Sequence, residues 1–172
     1  MYFNLIIVRV DSKYCDYLRK FDFRVPYNKE NANLRPFVGI LFSIHDKEYF
    51  APLSSPKTKH LKMRNTIDFI RIAEGKYGAI NFNNMIPIKK DSYEIINLNE
   101  KCNSKKEKLY KELLINQYTW LNINMRLVKN KAANLYRLYV EGRLSSNIKD
   151  RCCNYPLLEE KCDLYKREVV NV

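Results

Sequence analysis

The sequence predicts an α+β fold, in which an antiparallel sheet or half-barrel packs against helices. β-branched and aromatic segments separated by turn residues occupy residues 1–100, and segments with a helical period follow them. Strands that come first and helices that come later are typical of this class. The chain has 172 residues, of which 46% are hydrophobic and only four are glycine. We therefore expect one globular domain over residues 1–172, sheet-rich over 1–100 and helix-rich over 101–166.

A strand and a short helix are predicted to open the chain. Residues 2–10 are rich in β-branched and aromatic side chains, which favour a strand. Asp11-Ser12 offers an N-cap for a helix. The apolar residues after it recur at i, i+3, i+4 and i+7, which is one face of a helix, and they are Tyr14, Tyr17, Leu18 and Phe21.

Turn residues divide the sheet region that follows into short strands. The polar segment 24–36, with two prolines, is predicted to be a loop. Strands are predicted at residues 37–44, 48–51, 68–73 and 77–82, with extended segments at 83–88 and 94–98. The first two form a hairpin around a tight turn at 45–47, and Pro87 predicts an edge or a bend. Pro52 is expected to end the pairing of the hairpin, because proline has no N–H to donate.

Three helices are predicted after residue 101. Ser104 and Glu107 have the spacing of a capping box, and a stripe with helical period follows them through Tyr110, Leu113, Leu114, Gln117, Tyr118 and Leu121. A second helix is predicted at 123–141 with Gly142 as its end. Its inward-facing residues are predicted to be Leu127, Val128, Leu135, Leu138 and Tyr139. Asn154 and Pro156 open a last helix at 157–166.

The charge of the chain indicates a polyanionic partner. The formal net charge is +12, from 31 Lys and Arg against 19 Asp and Glu. Charge of this size destabilises a compact chain by self-repulsion. Thirteen tyrosines and eight phenylalanines accompany the basic residues. Aromatic rings can stack on unpaired bases, which favours single-stranded nucleic acid over a membrane surface. The alternative is that most of these aromatic residues belong to the core.

Cysteine and histidine usage gives no sign of a metal or other cofactor. The five cysteines are odd in number and lack CxxC spacing, and there are only two histidines. The N-terminus lacks the features of a signal peptide, and no apolar run has the length of a membrane span. We therefore expect a soluble cytoplasmic protein without a cofactor.

Residues 47–60 have the composition of a phosphate-binding loop. After the strand, the hydroxyls of Ser54 and Ser55 are followed by a proline and then by Lys57, Lys59 and His60, and no acidic residue lies between Glu48 and Asp68. Hydroxyls, backbone N–H groups, ammonium groups and an imidazole can hold a phosphate and move protons near it. The alternative is an ordinary solvated turn.

Segments along most of the chain, in their order and spacing, resemble one family. They are Lys13-Tyr14 with Tyr17-Leu18, residues 35–40, residues 49–57 with His60, and residues 80–87, 110–114 and 157–161. The chain resembles the ToxN/AbiQ endoribonucleases, the toxins of type III toxin–antitoxin systems that act in abortive infection against bacteriophage. The resemblance implies a fold like that of the Kid/MazF-like RNases and sequence-selective cleavage of RNA. It also implies a small antitoxin RNA of tandem repeats, which the toxin cuts into units and then binds in a joint assembly. Cys152-Cys153 and the tail after Tyr165 match no part of this pattern.

Cleavage of RNA without a metal needs a base for the 2′-hydroxyl, an acid for the 5′-oxygen and stabilisation of the phosphorane charge. Lys57 is the candidate closest to the scissile phosphate, because an ammonium group is a proton donor at neutral pH. Ser54 and Ser55 are expected to orient phosphate oxygens. Arg35, supported by the family's basic residue at this position, is expected to clamp a second phosphate, unless it is an ordinary surface arginine. His60 is either an acid–base catalyst or a structural cap of the loop.

Further residues are candidates for binding RNA. Tyr14 is expected to contact RNA at the edge of the site, with helix packing as its alternative, and His45 is expected to face solvent. The other candidates lie in the loop, near it and in both long helices: Lys59, Lys62, Arg64, Asn83, Lys105, Lys106, Lys108, Lys111, Arg126, Lys129 and Lys131. A non-catalytic RNA-binding module is the competing function. A DNA-binding regulator would show a helix-turn-helix pattern, which the sequence lacks.

Overall fold

The structure is a computed structural model that describes residues 4–27, 35–90 and 92–166. Its strands are β1 (Ile6–Val10), β2 (Phe37–Gly39), β3 (Ser43–Ile44), β4 (Lys47–Ser54), β5 (Phe69–Arg71), β6 (Ala79–Asn81), β7 (Ile86–Lys89) and β8 (Tyr93–Ile95). Its α-helices are α1 (Ser12–Arg19), α2 (Thr58–Lys62), α3 (Lys105–Ile123), α4 (Met125–Val140), α5 (Ser146–Arg151) and α6 (Tyr155–Leu164). All strand pairs are antiparallel. The predicted α+β class with an antiparallel sheet is confirmed.

The strand β4 is the centre of the sheet. β2 and β3 pair along one edge of it, and β7 and β6 pair along the other. The sheet extends outward in the order β5-β6-β4-β2-β1-β8. Every β4 residue before Ser54 is buried, whereas Ser54 is half-buried. The strand therefore runs through the core and delivers its last residue to one end of the sheet.

The prediction that pairing stops at Pro52 is wrong. Pro52 lies inside β4, opposite Phe37 of β2. The N–H of Leu53 donates to the carbonyl of Pro36 at 2.8 Å, so the nitrogen of Pro52 points to the opposite edge of β4. On that edge β7 pairs only as far as Phe50, and β6 begins opposite Leu53. The proline is tolerated because no ladder hydrogen bond is due at its position.

Several other strands are shorter than predicted because turns interrupt them. The shortened or divided segments are 37–44, 68–73, 77–82 and 83–88. A 3-10 turn at Ile72–Gly75 follows β5, and a second one at Phe82–Asn84 separates β6 from β7. β7 pairs with β4 alone within the described residues, as expected for the edge predicted from Pro87. Residues 2–3 of the first predicted strand and 28–34 of the predicted loop lie outside the described residues.

Side chains cap the helices where the sequence predicts it. The side chains of Asp11, Ser104 and Asn154 accept N–H groups in the first turns of α1, α3 and α6. Gly142, with a φ of 67°, follows the end of α4. Two predictions fail: Leu127 is 46% exposed instead of facing inward, and the short helices α2 and α5 were not expected.

The core lies between the sheet and the later helices. Tyr49 of β4 and Tyr136 of α4 both donate their hydroxyls to Glu159 of α6, at 2.6 and 2.8 Å. The rings of Phe42 and Tyr155 pack against this pair. Much of the aromatic content therefore belongs to the core, as the alternative interpretation has it. No helix of the described residues is long and apolar enough to cross a membrane.

Candidate active site

The chain leaves the sheet at Ser54 and turns into α2. Ser55 and Lys57 are exposed, and the extended backbone of Lys57 precedes the first residue of α2. The predicted loop therefore ends in a helix of one turn, which begins at Thr58. We call residues 57–64 the basic segment; its exposed cations are Lys57, Lys59, Lys62 and Arg64.

Two arginines lie in line with Ser54 across the sheet. Ser54 is opposite Ala79 of β6, and Ala79 is opposite Arg71 of β5. On the other side, the register between β2 and β4, extended by two residues, places Arg35 opposite Ser54. Residues directly opposite each other in antiparallel strands project to the same face. One face at this end of the sheet therefore carries the exposed Arg35, the hydroxyl of Ser54 and the half-buried Arg71.

The hydroxyl of Ser54 is held by a neighbouring amide. The side-chain nitrogen of Asn81 donates to the Ser54 oxygen at 2.7 Å. Because the oxygen accepts this hydrogen bond, the hydroxyl hydrogen is left to donate. That is the orientation needed to contact a phosphate oxygen. Asn81, like Arg71, was not predicted as a site residue.

The turn after β5 packs closely against the backbone of the serine turn and α2. A Cβ on Gly78 would lie 1.9 Å from the carbonyl oxygen of Ser54, and one on Gly75 would lie 2.5 Å from that of His60. Both glycines have positive φ, at +92° and +95°. Only glycine fits at these two positions, so the contacts fix where the serine turn and α2 lie.

Arg71 ties the same elements together. Its Nη1 donates to the carbonyl of Leu61 in α2 at 3.1 Å and to that of Glu74 in the 3-10 turn at 3.3 Å. Its Nε is buried without a hydrogen-bond partner among the described protein atoms. Arg71 is thus positioned to hold α2 against the sheet, next to Ser54.

His60 is on the inner side of α2. It is 3% exposed, its ring centroid lies 6.1 Å from that of Phe69, and its Nδ1 has no partner within the described structure. Burial lowers the pKa of His60, and the charges of Lys59 and Lys57 lower it further. The imidazole is therefore neutral at pH 7. Its position favours the structural role, and the catalytic role stays a prediction.

Salt bridges and hydrogen bonds anchor the chain just after the basic segment. Arg151 of α5 binds the carboxylate of buried Asp68 at 2.5 and 2.8 Å, and the Thr66 hydroxyl donates to it at 2.9 Å. Burial opposes ionisation of Asp68, but these hydrogen bonds outweigh it and lower its pKa. Lys131 of α4 donates to the carbonyl of Thr66 at 2.6 Å. α4 and α5 therefore pack beside this segment.

Other predicted RNA contacts are already engaged within the protein. Tyr14 is 5% exposed and donates its hydroxyl to the carbonyl of Pro87 at 2.6 Å. Pro87 is opposite Tyr49, five residues before Ser54 in β4 and so roughly 16 Å away along the strand. The structure does not bring Tyr14 to the serine turn, and helix packing explains its position. Asn83 is half-buried and donates to the carbonyl of Arg151 at 3.2 Å.

The basic residues of the long helices are divided between two places. Arg126 and Lys129 lie in the first part of α4, before Lys131. The cations Lys105, Lys106 and Lys108 are exposed at the start of α3. Lys111 donates to the carbonyl of Glu100 at 2.8 Å and lines a cleft of about 280 Å³ together with Arg9. His45 is exposed, as predicted.

The described residues show the chemistry of an anion site. Hydroxyls, ammonium and guanidinium groups meet at one end of β4, and no group of three His, Cys, Asp or Glu residues in the described ranges could hold a metal ion. All five cysteines are free, and four of them are buried. Burial raises the pKa of Cys15 to about 12 and that of Cys152 to about 11, so these thiols stay protonated.

Comparison with known proteins points to one family. The model of the family described as "Toxin ToxN, type III toxin-antitoxin system" matches residues 6–163. Endoribonuclease ToxN of Bacillus thuringiensis subsp. kurstaki is 35% identical over 161 residues, which cover 91% of this chain and 82% of the relative. Endoribonuclease AbiQ of Lactococcus lactis subsp. lactis is 32% identical over 170 residues, which cover 92% and 88%.

Solved structures give the same result. One, described as a toxin selectively inhibited by a non-coding RNA pseudoknot, superposes with a TM-score of 0.81 at 33% identity, over 96% of this chain and 100% of that one. Another, of AbiQ, described as a lactococcal anti-phage endoribonuclease of a type III system, superposes with a TM-score of 0.79 at 26% identity, over 95% and 98%.

Proposed function

Because the chain belongs to the ToxN family of type III toxin–antitoxin toxins, we propose that it is a sequence-selective endoribonuclease acting in abortive infection against phage. The observation that carries this proposal is the end of β4, where Ser54 lies opposite Arg35 and is followed by exposed Ser55 and Lys57. No carboxylate is present between residues 49 and 67. Such a site attracts a phosphodiester. Relatives described as endoribonucleases support the cleavage step.

The proposed reaction is transesterification without a metal. The 2′-oxygen attacks phosphorus, the bond to the 5′-oxygen breaks, and the products are a 2′,3′-cyclic phosphate and a 5′-hydroxyl. Lys57 neutralises the phosphate and donates a proton to the leaving 5′-oxygen. Ser54, Ser55 and Arg35 hold the non-bridging oxygens and the neighbouring phosphate. Buried His60 is the remaining titrating candidate for the proton of the 2′-hydroxyl.

We propose that the partner is a small folded RNA built from tandem repeats, which the protein cuts into units and then binds in a joint assembly. The net charge of +12 and the pseudoknot-inhibited structural neighbour support this. Contacts beyond the site are assigned to half-buried Lys129 and to exposed cations of the basic segment and the two long helices: Lys59, Lys62, Arg64, Lys105, Lys106, Lys108 and Arg126. Affinity should fall by roughly 0.7 to 0.9 log units per log unit of salt for each phosphate neutralised.

The proposal extends to the domain organisation, the type of sheet and the cellular compartment. We propose that residues 1–172 form a single toxin domain and that the sheet is a twisted half-barrel of the Kid/MazF-like RNase type, on the strength of the family resemblance. We further propose that the protein acts in the cytoplasm. Five free cysteines support a reducing compartment. Superposition on a Kid structure and limited proteolysis of the purified chain test the first two points.

Cleavage and inhibition can be tested in one experiment. Purified protein is mixed with a short unstructured RNA, with and without a transcript of the tandem repeats found beside its gene. The expected result is cutting of the short RNA and loss of cutting when the transcript is added. Binding of both RNAs without cutting would show a non-catalytic RNA-binding protein instead. Cutting that persists with saturating transcript would reject the RNA as its inhibitor.

A further inference from the structure

The exposed aromatic rings of the described chain lie together in one short segment after α1. Phe21, Phe23 and Tyr27 are 43%, 82% and 57% exposed. The other large apolar side chains that are exposed in the described ranges are aliphatic or methionine. We call residues 21–27 the aromatic segment. The basic-segment site does not include these rings, so their exposure needs a separate explanation.

Each of the three rings has a cation over it. The Arg19 guanidinium lies 4.5 Å from the ring centroid of Tyr27, and that of Arg24 lies 5.4 Å from the centroid of Phe23. The Lys161 ammonium lies 4.9 Å from the centroid of Phe21. A carboxylate pairs with each of these cations, and the three carboxylates are those of Asp16, Asp22 and Glu160. The segment therefore offers rings and guanidinium planes with little uncompensated charge.

The backbone of the aromatic segment is firmly anchored. Asp22 is 3% exposed and accepts from Arg24 Nε at 2.8 Å and from the Asn154 N–H at 2.6 Å. Arg24 donates to the carbonyl of Asp150 at 2.9 Å, and its own carbonyl accepts from Asn84 at 2.9 Å. The ring of Phe23 is thus presented to solvent by a fixed backbone. Such a preorganised ring loses little entropy when a flat ligand stacks on it.

The aromatic segment and the basic segment share a neighbour. The 3-10 turn Phe82–Asn84 contacts Arg24 through Asn84, and its Phe82 N–H donates to the carbonyl of Asp68 at 2.9 Å. Thr66 and Asp68 lie within four residues of the end of the basic segment. A nucleic-acid strand bound along the basic segment would therefore have these rings near its path.

We propose that the aromatic segment is a stacking surface for unpaired bases of the RNA that the basic segment binds, with Phe23 as its main ring. This rests on the proposed RNA binding, to which it adds a second subsite. Rings with paired cations suit bases, which present flat faces whatever the sequence. A protein partner fits less well, because the exposed area of the three rings is about 350 Å² at 150–250 Å² per ring. A standard protein interface needs roughly 1,200–2,000 Å².

The test measures binding of a 2′-O-methyl oligoadenylate of about ten nucleotides, which lacks the attacking hydroxyl and so stays uncut, and of the same oligomer with abasic sites. Phe23→Ala should weaken binding of the oligoadenylate by about 5- to 150-fold and leave binding of the abasic oligomer unchanged. Phe23→Trp should keep the affinity. Ile123→Ala, which removes an exposed aliphatic side chain (79% exposed), is the matched control and should change neither.

The salt dependence of RNA binding distinguishes this subsite from the basic segment. The loss caused by Phe23→Ala should be the same at low and high salt, whereas the loss caused by Lys59→Ala should shrink as salt rises. The inference is overturned if Phe23→Ala loses as much affinity for the abasic oligomer as for the oligoadenylate, or loses affinity for neither. A change of oligomeric state in Phe23→Ala without an effect on RNA binding would also overturn it. Cleavage is measured separately. A protein that does not cut RNA but shows the Phe23 effect would refute the enzyme proposal and leave this subsite standing.

Discussion

The two ends of β4 carry lysines in opposite circumstances. At its start, buried Lys47 binds the carboxylates of Asp163 at 2.9 Å and Asp46 at 3.1 Å. At its end, Lys57 follows in a segment where none of the exposed cations has an ion pair among the described residues. The same side-chain type therefore stabilises the fold at one end and is left available to a phosphate at the other. Uncompensated charge therefore distinguishes the proposed site from the other end of the strand.

The contacts that hold the two ends of β4 in place also differ in kind. Beside Lys47, side chains make the contacts, as in the hydrogen bond of Tyr49 with Glu159. Around Ser54 and α2, backbone atoms make them, through Gly75, Gly78 and the carbonyls that Arg71 binds. Fixing the site largely through its backbone leaves Ser55 and the ammonium groups exposed, while the half-buried Ser54 hydroxyl is held by Asn81. We expect substitutions at the first end to change stability and substitutions at the second end to change activity.

The largest expected effect is that of Lys57→Ala. Loss of a proton donor and of charge at the phosphate should lower the rate of RNA cleavage by about 10²–10⁴-fold, while the free energy of unfolding stays within about ±0.5 kcal/mol. Cleavage rate and thermal unfolding are measured on the same preparation. Lys90→Ala, which removes an exposed lysine at the other end of β4 outside the proposed RNA contacts, is the control and should cut nearly as fast as the wild type. Growth arrest by Lys57→Ala at the wild-type level would remove Lys57 from the site.

Arg71→Lys should have the next largest effect on activity. Nη1 of Arg71 donates to both carbonyls, and lysine keeps the charge but lacks the rigid guanidinium that aims this nitrogen, so α2 and Lys57 should shift. We expect kcat to fall by up to about 10²-fold, with a smaller change in KM. Added guanidinium ion should restore part of the rate of Arg71→Ala. An unchanged kcat in Arg71→Lys would mean that α2 is held by the glycine contacts alone.

At the other end of the strand, Tyr49→Phe should affect stability. The substitution removes one hydrogen bond to Glu159, and the remaining bond from Tyr136 keeps that carboxylate partly satisfied. The free energy of unfolding should fall by about 0.5–1.5 kcal/mol, as read from denaturant titration, and the cleavage rate per folded molecule should be unchanged. A loss of activity without loss of stability would contradict the division between the two ends.

The smallest expected effect is that of His60→Gln, and it is measured as the pH dependence of the free energy of unfolding. Burial lowers its pKa in the folded chain, so between the folded value and the unfolded value near ~6.5 the unfolded chain binds more protons. Its contribution to stability is therefore complete above pH ~6.5 and falls as the pH drops through that window. His60→Gln should lack this slope. If the slope persists in His60→Gln, another group is responsible. A pH–rate profile that flattens in the variant would make His60 a catalyst.

The sequence predicted the serine turn and Lys57 because their chemistry is written in consecutive residues. It did not predict Arg71 and Asn81, which share a face of the sheet with Ser54 only because β5, β6 and β4 pair. Register of this kind depends on contacts that are distant in sequence. The helices α2 and α5 were missed because five or six residues are too few to show a helical period. The prediction for Pro52 failed for a related reason. The nitrogen of Pro52 points to the edge of β4 where β7 has ended and β6 has not begun, so its missing N–H costs no ladder hydrogen bond.

The chemistry of the products tests the central claim most directly. A short RNA is cut by the wild-type protein in excess EDTA, and the new ends are identified by mass spectrometry. We expect a 2′,3′-cyclic phosphate and a 5′-hydroxyl, resistance of a substrate with a single 2′-deoxy sugar at the cut, and no products with Lys57→Ala. Cleavage that stops in EDTA and returns with magnesium, or that Lys57→Ala performs at the wild-type rate, would contradict a metal-free site at the end of β4.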